Sequence, residues 1–135
     1  GLPSALRKEP RWYLRDWSGV RDRATRFETM CACHLLKAVE GWTDLGFGDF
    51  ELRYLRDKQK REVDFLVVRE RRPWFLVEAK MSDTSLSPSL AHFQAQTKAP
   101  HAFQAVISEP FEPADCFLTN RPVMVPAKTL LSQLL

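Results

Sequence analysis

Two strand-like runs adjoin in residues 61–80, which read REVDFLVVRERRPWFLVEAK. The runs Arg61–Val68 and Trp74–Lys80 are rich in the β-branched and aromatic side chains typical of strands. The polar, proline-containing segment between them, Arg69–Pro73, predicts a turn. We therefore expect an antiparallel hairpin at the centre of the fold.

Polar side chains interrupt both apolar runs of this hairpin. Asp64 lies inside the first run, and Glu78 and Lys80, two residues apart, share one face of the second. Alternation along the first run places Val63 on the face of Phe65 and places Asp64 on the opposite face. A carboxylate buried in such a sheet costs several kcal/mol unless it is paired or bound to a cation. The sequence therefore marks Asp64 and Glu78 as candidate functional residues.

The register of the hairpin sets the distance between the two acids. A five-residue turn, 69–73, places Asp64 directly opposite Glu78. A three-residue turn, 71–73, pairs Asp64 with Lys80, and Glu78 then lies one step away on the diagonal. In both registers the two acids lie roughly 5–8 Å apart at Cβ. That spacing suits a shared divalent cation with oxygen ligands, most naturally Mg²⁺. The alternative is an ion pair of Lys80 with one of the acids at the sheet edge.

A long helix is predicted over residues 20–40, because one apolar stripe recurs there at helical spacing. Gly41 is predicted to end this helix, and Glu28 lies on the flank of the stripe. The members of the stripe are Phe27, Met30, Cys31, His34, Leu35 and Ala38.

The remaining pattern adds short elements on both sides of the hairpin. The predicted elements are a strand at Phe50–Arg56, a polar turn at 57–60, a helix from Pro88 to about Lys98, a strand at Ala102–Ile107, a strand at Val123–Val125 and a helix at Ala127–Leu134. This order of helices and strands predicts one α/β domain.

Composition supports a single globular domain. The chain has 135 residues, 44% of them hydrophobic, and a net charge of +3. No apolar run approaches the roughly 20 residues of a membrane-spanning helix. The three cysteines form an odd set, which favours a reducing, cytoplasmic setting over a disulfide framework. The chain begins at Gly1, so we interpret it as a piece of a longer protein.

Val63-Asp64, then thirteen residues, then Glu78-Ala79-Lys80 resembles the motif of the PD-(D/E)XK nuclease superfamily. Many of its members carry a Glu on the preceding helix, as Glu28 does here. The sequence is more similar still to the C-terminal nuclease-like domain of prokaryotic AAA+ ATPases, which has long been labelled a domain of unknown function. The segments that carry this closer resemblance are Asp16–Ser18, Arg26–Glu28, His34–Lys37, Leu52–Asp57, Arg61–Phe65, Val77–Lys80 and Ser82-Asp83.

The resemblance implies a fold and a set of roles. The fold would be a restriction-endonuclease-like core, with a mixed central sheet flanked by helices in αβββαβ order. Asp64 and Glu78 would bind Mg²⁺, or Mn²⁺ in its place, with the backbone carbonyl of Ala79 as a further ligand. Lys80 would orient or activate water for attack on a DNA phosphodiester. Glu28 would hold a second metal or a metal-bound water.

Substrate contacts are expected from two places. The turn that precedes the hairpin is basic, and its cations suit phosphates, although a solvated, self-contained turn explains them equally well. These cations are Arg53, Arg56, Lys58, Lys60 and Arg61. By analogy with the superfamily, Gln94 or Gln96 on the second predicted helix would assist.

The domain organisation follows from the same resemblance. Residues 1–17 are interpreted as a lead-in joined to a missing N-terminal ATPase module, and residues 18–135 as the nuclease-like domain. This chain has no Gly-x4-Gly-Lys-(Ser/Thr) phosphate loop. DNA and the ATPase module are the expected partners, without a membrane. The main alternative is a catalytically silent module of the same ATPase that binds DNA or protein. A less favoured alternative is an RNA enzyme or another phosphodiesterase on the same core.

Overall fold

The structure, a computed structural model, describes residues 6–7, 23–83 and 85–134. Within these residues one sheet has the strand order β1-β2-β3-β4-β5-β6. The strands are β1 Leu6–Arg7, β2 Phe50–Arg56, β3 Glu62–Arg69, β4 Arg72–Lys80, β5 His101–Val106 and β6 Val123–Pro126. The helices are α1 Arg23–Asp44, α2 Pro88–Thr97 and α3 Ala127–Ser132, with a short 3₁₀ helix at Cys116–Leu118.

The sheet is mixed. Strands β1 to β4 pair antiparallel, whereas β5 runs parallel to β4, and β6 runs parallel to β5. Helices α1 and α3 pack on one face, where Phe65 and Phe75 are buried. Helix α2 packs on the other face, where Leu66 and Leu76 are buried. The predicted fold class, a mixed central sheet flanked by helices in αβββαβ order, is confirmed.

Helix α1 continues past the predicted stop at Gly41 and ends at Asp44. Trp42 explains the difference, because its ring packs 5.1 Å from the Phe50 ring and 5.7 Å from the Trp74 ring. Burial of that aromatic surface outweighs the cost of about 1 kcal/mol for glycine inside a helix. Met30, predicted in the apolar stripe, is instead 47% exposed.

The hairpin turn between β3 and β4 is shorter than either predicted turn. Only Glu70 and Arg71 form it, both with positive φ (50° and 66°), and the flanking Arg69 pairs with Arg72. An extra residue in β4, Trp74, then shifts the register. Beyond it, the pairing from Val67–Phe75 to Phe65–Val77 is the register of the predicted five-residue turn.

A second irregularity lies in β3 beside β2. Arg53 pairs with Leu66 but Leu55 pairs with Val63, so β3 has one residue more than β2 in this interval. Val63 consequently joins the buried cluster under α2 instead of the face of Phe65. The predicted alternation is therefore wrong at Val63 and Asp64, because a bulge reverses which face a side chain takes.

The other elements agree with the sequence predictions to within two residues. Strand β2 has the predicted bounds, and α2 buries Leu90, Phe93 and Thr97 before Lys98 caps it with a φ of 61°. Strands β5 and β6 and the start of α3 also lie where they were predicted. Apart from Leu6–Arg7, which pair with β2, the predicted lead-in over 1–17 lies outside the described residues.

Candidate active site

Asp64 and Glu78 lie where β3 and β4 separate. The last main-chain pair at this end of the two strands joins Phe65 and Val77. Beyond this pair, the N–H of Ala79 donates to Oδ2 of Asp64 over 2.8 Å. The Asp64 carboxyl group thus takes the place of a main-chain acceptor, and this hydrogen bond holds it between the strands.

Glu28 on α1 reaches the same carboxyl group. Burial and the neighbouring charge of Glu28 raise the pKa of Asp64 to about 8, against the lowering effect of the Ala79 N–H. Glu78 adds to the rise, as does the hydrogen bond between the Glu28 and Asp64 side chains. A hydrogen bond between two carboxyl groups requires a proton on one of them. Burial and the nearby Glu28 thus both favour the protonated form of the Asp64 carboxyl group.

Glu78 faces a different set of partners. It is 8% exposed, and its Oε1 lies 3.8 Å from Nζ of Lys80. Its other oxygen, Oε2, is buried and has no hydrogen-bond partner among the described residues. Burial raises the pKa of Glu78, while a hydrogen bond with Ser87 and the charge of Lys80 oppose the rise. The ion pair of Lys80 with one of the acids, which the sequence left open as the alternative to a cation site, is therefore present at Glu78.

The acids are close but do not converge on one point. Within residues 23–83 and 85–134, no group of three His, Cys, Asp or Glu side chains is arranged to hold a metal ion. The donor set still fits a hard divalent cation, since Glu28, Asp64 and Glu78 offer the carboxylate oxygens that Mg²⁺ prefers. The orphaned Oε2 of Glu78 is costly in the apolar interior, and a cation would remove that cost.

One known protein family matches most of the chain that forms this core. The family described as Domain of unknown function (DUF4143) matches residues 25–125. This chain belongs to the DUF4143 family. No curated protein and no solved structure matches it. The matched region of this DUF4143 domain contains Glu28, Asp64, Glu78 and Lys80.

No helix in the described part of the DUF4143 domain combines the length and the hydrophobicity needed to cross a bilayer.

The basic turn between β2 and β3 lies at the same end of the sheet as Asp64, because it leads into the start of β3. Its arginines have acidic neighbours. Arg56 lies 3.3 Å from Glu62 and Arg61 lies 2.7 Å from Asp57. Arg53 pairs with Glu51, while Lys58 and Lys60 are exposed. Ion pairing thus offsets much of the turn's positive charge, and its contact with phosphates stays a prediction.

Gln94 has structural partners in this DUF4143 domain. Its Nε2 donates to the carbonyl of Ala99 (3.1 Å) and to that of Asn120 (2.9 Å). These bonds fasten the C-terminal end of α2, whereas Ser87, the partner of Glu78, lies at the N-terminal end. Gln96 is exposed. The proposed role of either glutamine in substrate binding stays a prediction.

Gln104 on β5 is a site residue that the sequence analysis missed. It is fully buried and pairs in register with Glu78 on β4. The available signal was a lone amide inside the apolar run Ala102–Ile107. Its partners lie 17 to 21 residues away in the chain, so local pattern could not identify them.

Proposed function

We propose that this DUF4143 domain is a Mg²⁺-dependent nuclease domain of the PD-(D/E)XK type that hydrolyses DNA phosphodiester bonds. One observation carries the proposal. Two acids, the half-buried Asp64 and the buried Glu78, lie at one end of a hairpin beside Lys80, and a third acid, Glu28, reaches them from α1. A restriction-endonuclease-like core would use the same elements in the same order.

Each residue has a role that its surroundings support. Asp64, Glu78 and the carbonyl of Ala79 would hold the cation, with Glu28 beside them. When bound, Mg²⁺ supplies a charge that offsets the negative charge developing at phosphorus. The Lys80 side chain is 35% exposed, so its ammonium group reaches both solvent and Glu78. There it would hold the water that attacks phosphorus as one P–O ester bond breaks.

The cellular context proposed for this domain rests on its resemblance to part of AAA+ ATPases. The 135 residues hold no phosphate loop, so ATP hydrolysis is not proposed for them. We propose an N-terminal ATPase module and DNA as partners in the cytoplasm, with Mn²⁺ as a substitute for Mg²⁺.

A catalytically silent module that binds DNA or protein is the second candidate. The observation that favours it is that each acid has a partner within the protein without any metal ion. Glu28 is a hydrogen-bond partner of Asp64, and Nζ of Lys80 lies 3.8 Å from Oε1 of Glu78. Under this alternative the same residues stabilise the sheet end, and the domain delivers the ATPase to DNA or to a partner protein.

A cleavage assay separates the two candidates. Plasmid and branched DNA are incubated with the chain and Mg²⁺ or Mn²⁺, and the isosteric variants Asp64→Asn and Glu78→Gln are assayed alongside. Asp44→Asn, at the exposed end of α1, is the matched control. A nuclease loses more than about 100-fold in rate in both site variants and keeps its rate in the control. Equal rates in all four proteins would overturn the proposal. DNA binding that weakens steeply with salt, without cleavage, would establish the silent module.

A further inference from the structure

Gln104 presents its amide to the segment that links β4 to α2. Its Oε1 accepts a hydrogen bond from the N–H of Ser87 over 2.9 Å. Its Nε2 donates to the carbonyls of Asp83 (3.1 Å) and Ser85 (2.8 Å). Both amide protons and one acceptor site are therefore used, which explains how the side chain is accommodated at zero exposure.

The far end of the same segment is held by main-chain bonds. The N–H of Ile107 donates to the carbonyl of Lys80 (3.0 Å), and that of Ser108 donates to the carbonyl of Met81 (2.9 Å). The segment is thus fastened to the end of β5 near Lys80 and to Gln104 near Ser87. Glu78 lies between these two attachments, in register with Gln104.

Ser87 occupies the N-cap position of α2 but does not cap the helix. Serine at this position usually accepts a hydrogen bond from a main-chain N–H of the first turn. Here the side chain makes no such bond, and Pro88 follows at the start of the helix. Ser87 instead lies near Glu78, because Gln104, which accepts from the Ser87 N–H, pairs in register with Glu78. The Ser87 hydroxyl is a hydrogen-bond donor to that carboxyl group. A residue type suited to capping is therefore used on the candidate metal ligand.

We propose that Gln104 is a positioning residue of the candidate metal site, which acts by holding Ser87 so that the Ser87 hydroxyl orients the Glu78 carboxylate. The inference rests on the proposed function, since it assigns Glu78 to a cation. Partners that orient a metal ligand typically change metal affinity by about 10- to 100-fold when they are removed. A merely structural glutamine would change stability and leave the affinity unaltered.

Mn²⁺ titration by calorimetry tests this inference on the 135-residue chain. Gln104→Met and Ser87→Ala are each expected to weaken Mn²⁺ binding about 10-fold. The double variant is expected to bind no more weakly than the weaker single variant, because both changes act through one hydroxyl. Ser87→Thr keeps a hydroxyl and is expected to retain affinity.

Gln133→Met is the matched control. The Gln133 side chain makes the same kinds of hydrogen bond away from the acids. Its Oε1 accepts from the N–H of Cys116 (3.0 Å), and its Nε2 donates to the carbonyl of Ala114. Its replacement is expected to lower the melting temperature without altering Mn²⁺ affinity.

The results that overturn the inference differ from those that overturn the proposed function. Unsubstituted chain that binds no Mn²⁺ removes the proposed function and the role of Gln104 with it. If the unsubstituted chain binds Mn²⁺ and folded Gln104→Met binds it equally well, only the inference fails. Additive losses in the double variant would also overturn it. If Gln104→Met does not fold, unchanged Mn²⁺ affinity in Ser87→Ala would overturn the inference.

Discussion

Asp64 holds a proton at a pH where an aspartate in water would have lost it. Its pKa of about 8 is caused first by burial and then by Glu28, with a further contribution from Glu78. Burial raises the pKa of Cys31 on α1 to about 12, and the charges of Asp64 and Glu28 add to the rise. Of the groups that act on Asp64, only the N–H of Ala79 lowers its pKa and so favours its charged form. At this residue the fold accepts a cost that a bound cation would relieve.

Asp64→Asn is expected to flatten the pH dependence of stability. The folded state keeps the Asp64 proton up to about pH 8, whereas the unfolded chain loses it near pH 4. The folded state binds more protons between these values, so its stability falls as the pH rises through them. Asparagine cannot ionise, and it still accepts the bond from Ala79.

Denaturant unfolding in chelator at about pH 5 and about pH 8 measures this effect. The stability of Asp64→Asn relative to the unsubstituted chain is expected to increase by at least about 1 kcal/mol between the two pH values. Asp44→Asn serves as the control and should follow the unsubstituted chain. Equal changes with pH in the chain and in Asp64→Asn would show that Asp64 ionises normally.

At the scale of elements, the main features of the hairpin could be predicted and its details could not. Alternation along β3 and β4 identified the strands and the register from Phe65 to Val67. The two-residue turn at Glu70 and Arg71 could not be predicted from the sequence, because both residues adopt positive φ although neither is glycine. The Glu70 side chain accepts from the N–H of Asp49 over 3.1 Å, a contact with a distant loop that supports this turn.

The bulge in β3 shows why the site was predicted only in part. The polar interruptions at Asp64, Glu78 and Lys80 were visible in the sequence. Which face Asp64 takes depends on how β3 pairs with β2, and a bulge there depends on tertiary contacts. The sequence therefore identified the acids but not the division into a Glu28–Asp64 pair and a Glu78–Lys80 pair.

The two glycines at the end of α1 provide a stability test at this scale. A Cβ added to Gly41 or to Gly46 meets no atom within 4 Å, and only Gly46 has a positive φ, of 83°. Gly41→Ala is expected to stabilise the protein by roughly 0.5–1 kcal/mol, because Gly41 lies inside the helix. Gly46→Ala is expected to destabilise it by about 1 kcal/mol.

Urea unfolding of both variants checks this pair. Because the two sites are equally open, the contrast isolates backbone conformation from packing. A loss of stability in Gly41→Ala would contradict a continuous helix from Arg23 to Asp44.

Across the whole molecule, elements distant in sequence meet at one end of the sheet. Helix α1 contributes Glu28, β3 contributes Asp64, and β4 contributes Glu78 and Lys80. The segment before α2, held by Gln104 on β5, contributes Ser87. The basic turn after β2 lies at the same end. The net charge of +3 is small, so the local arrangement of acids and bases is more informative than the total.

Calorimetric titration of Mn²⁺ into the chain at neutral pH tests whether these acids form a divalent cation site. We expect binding at concentrations on the order of millimolar or below. We also expect an affinity at least about 10-fold weaker in Asp64→Asn and unchanged in Asp44→Asn. No binding at millimolar Mn²⁺, or equal affinity in the unsubstituted chain and in Asp64→Asn, would contradict a cation site at these acids.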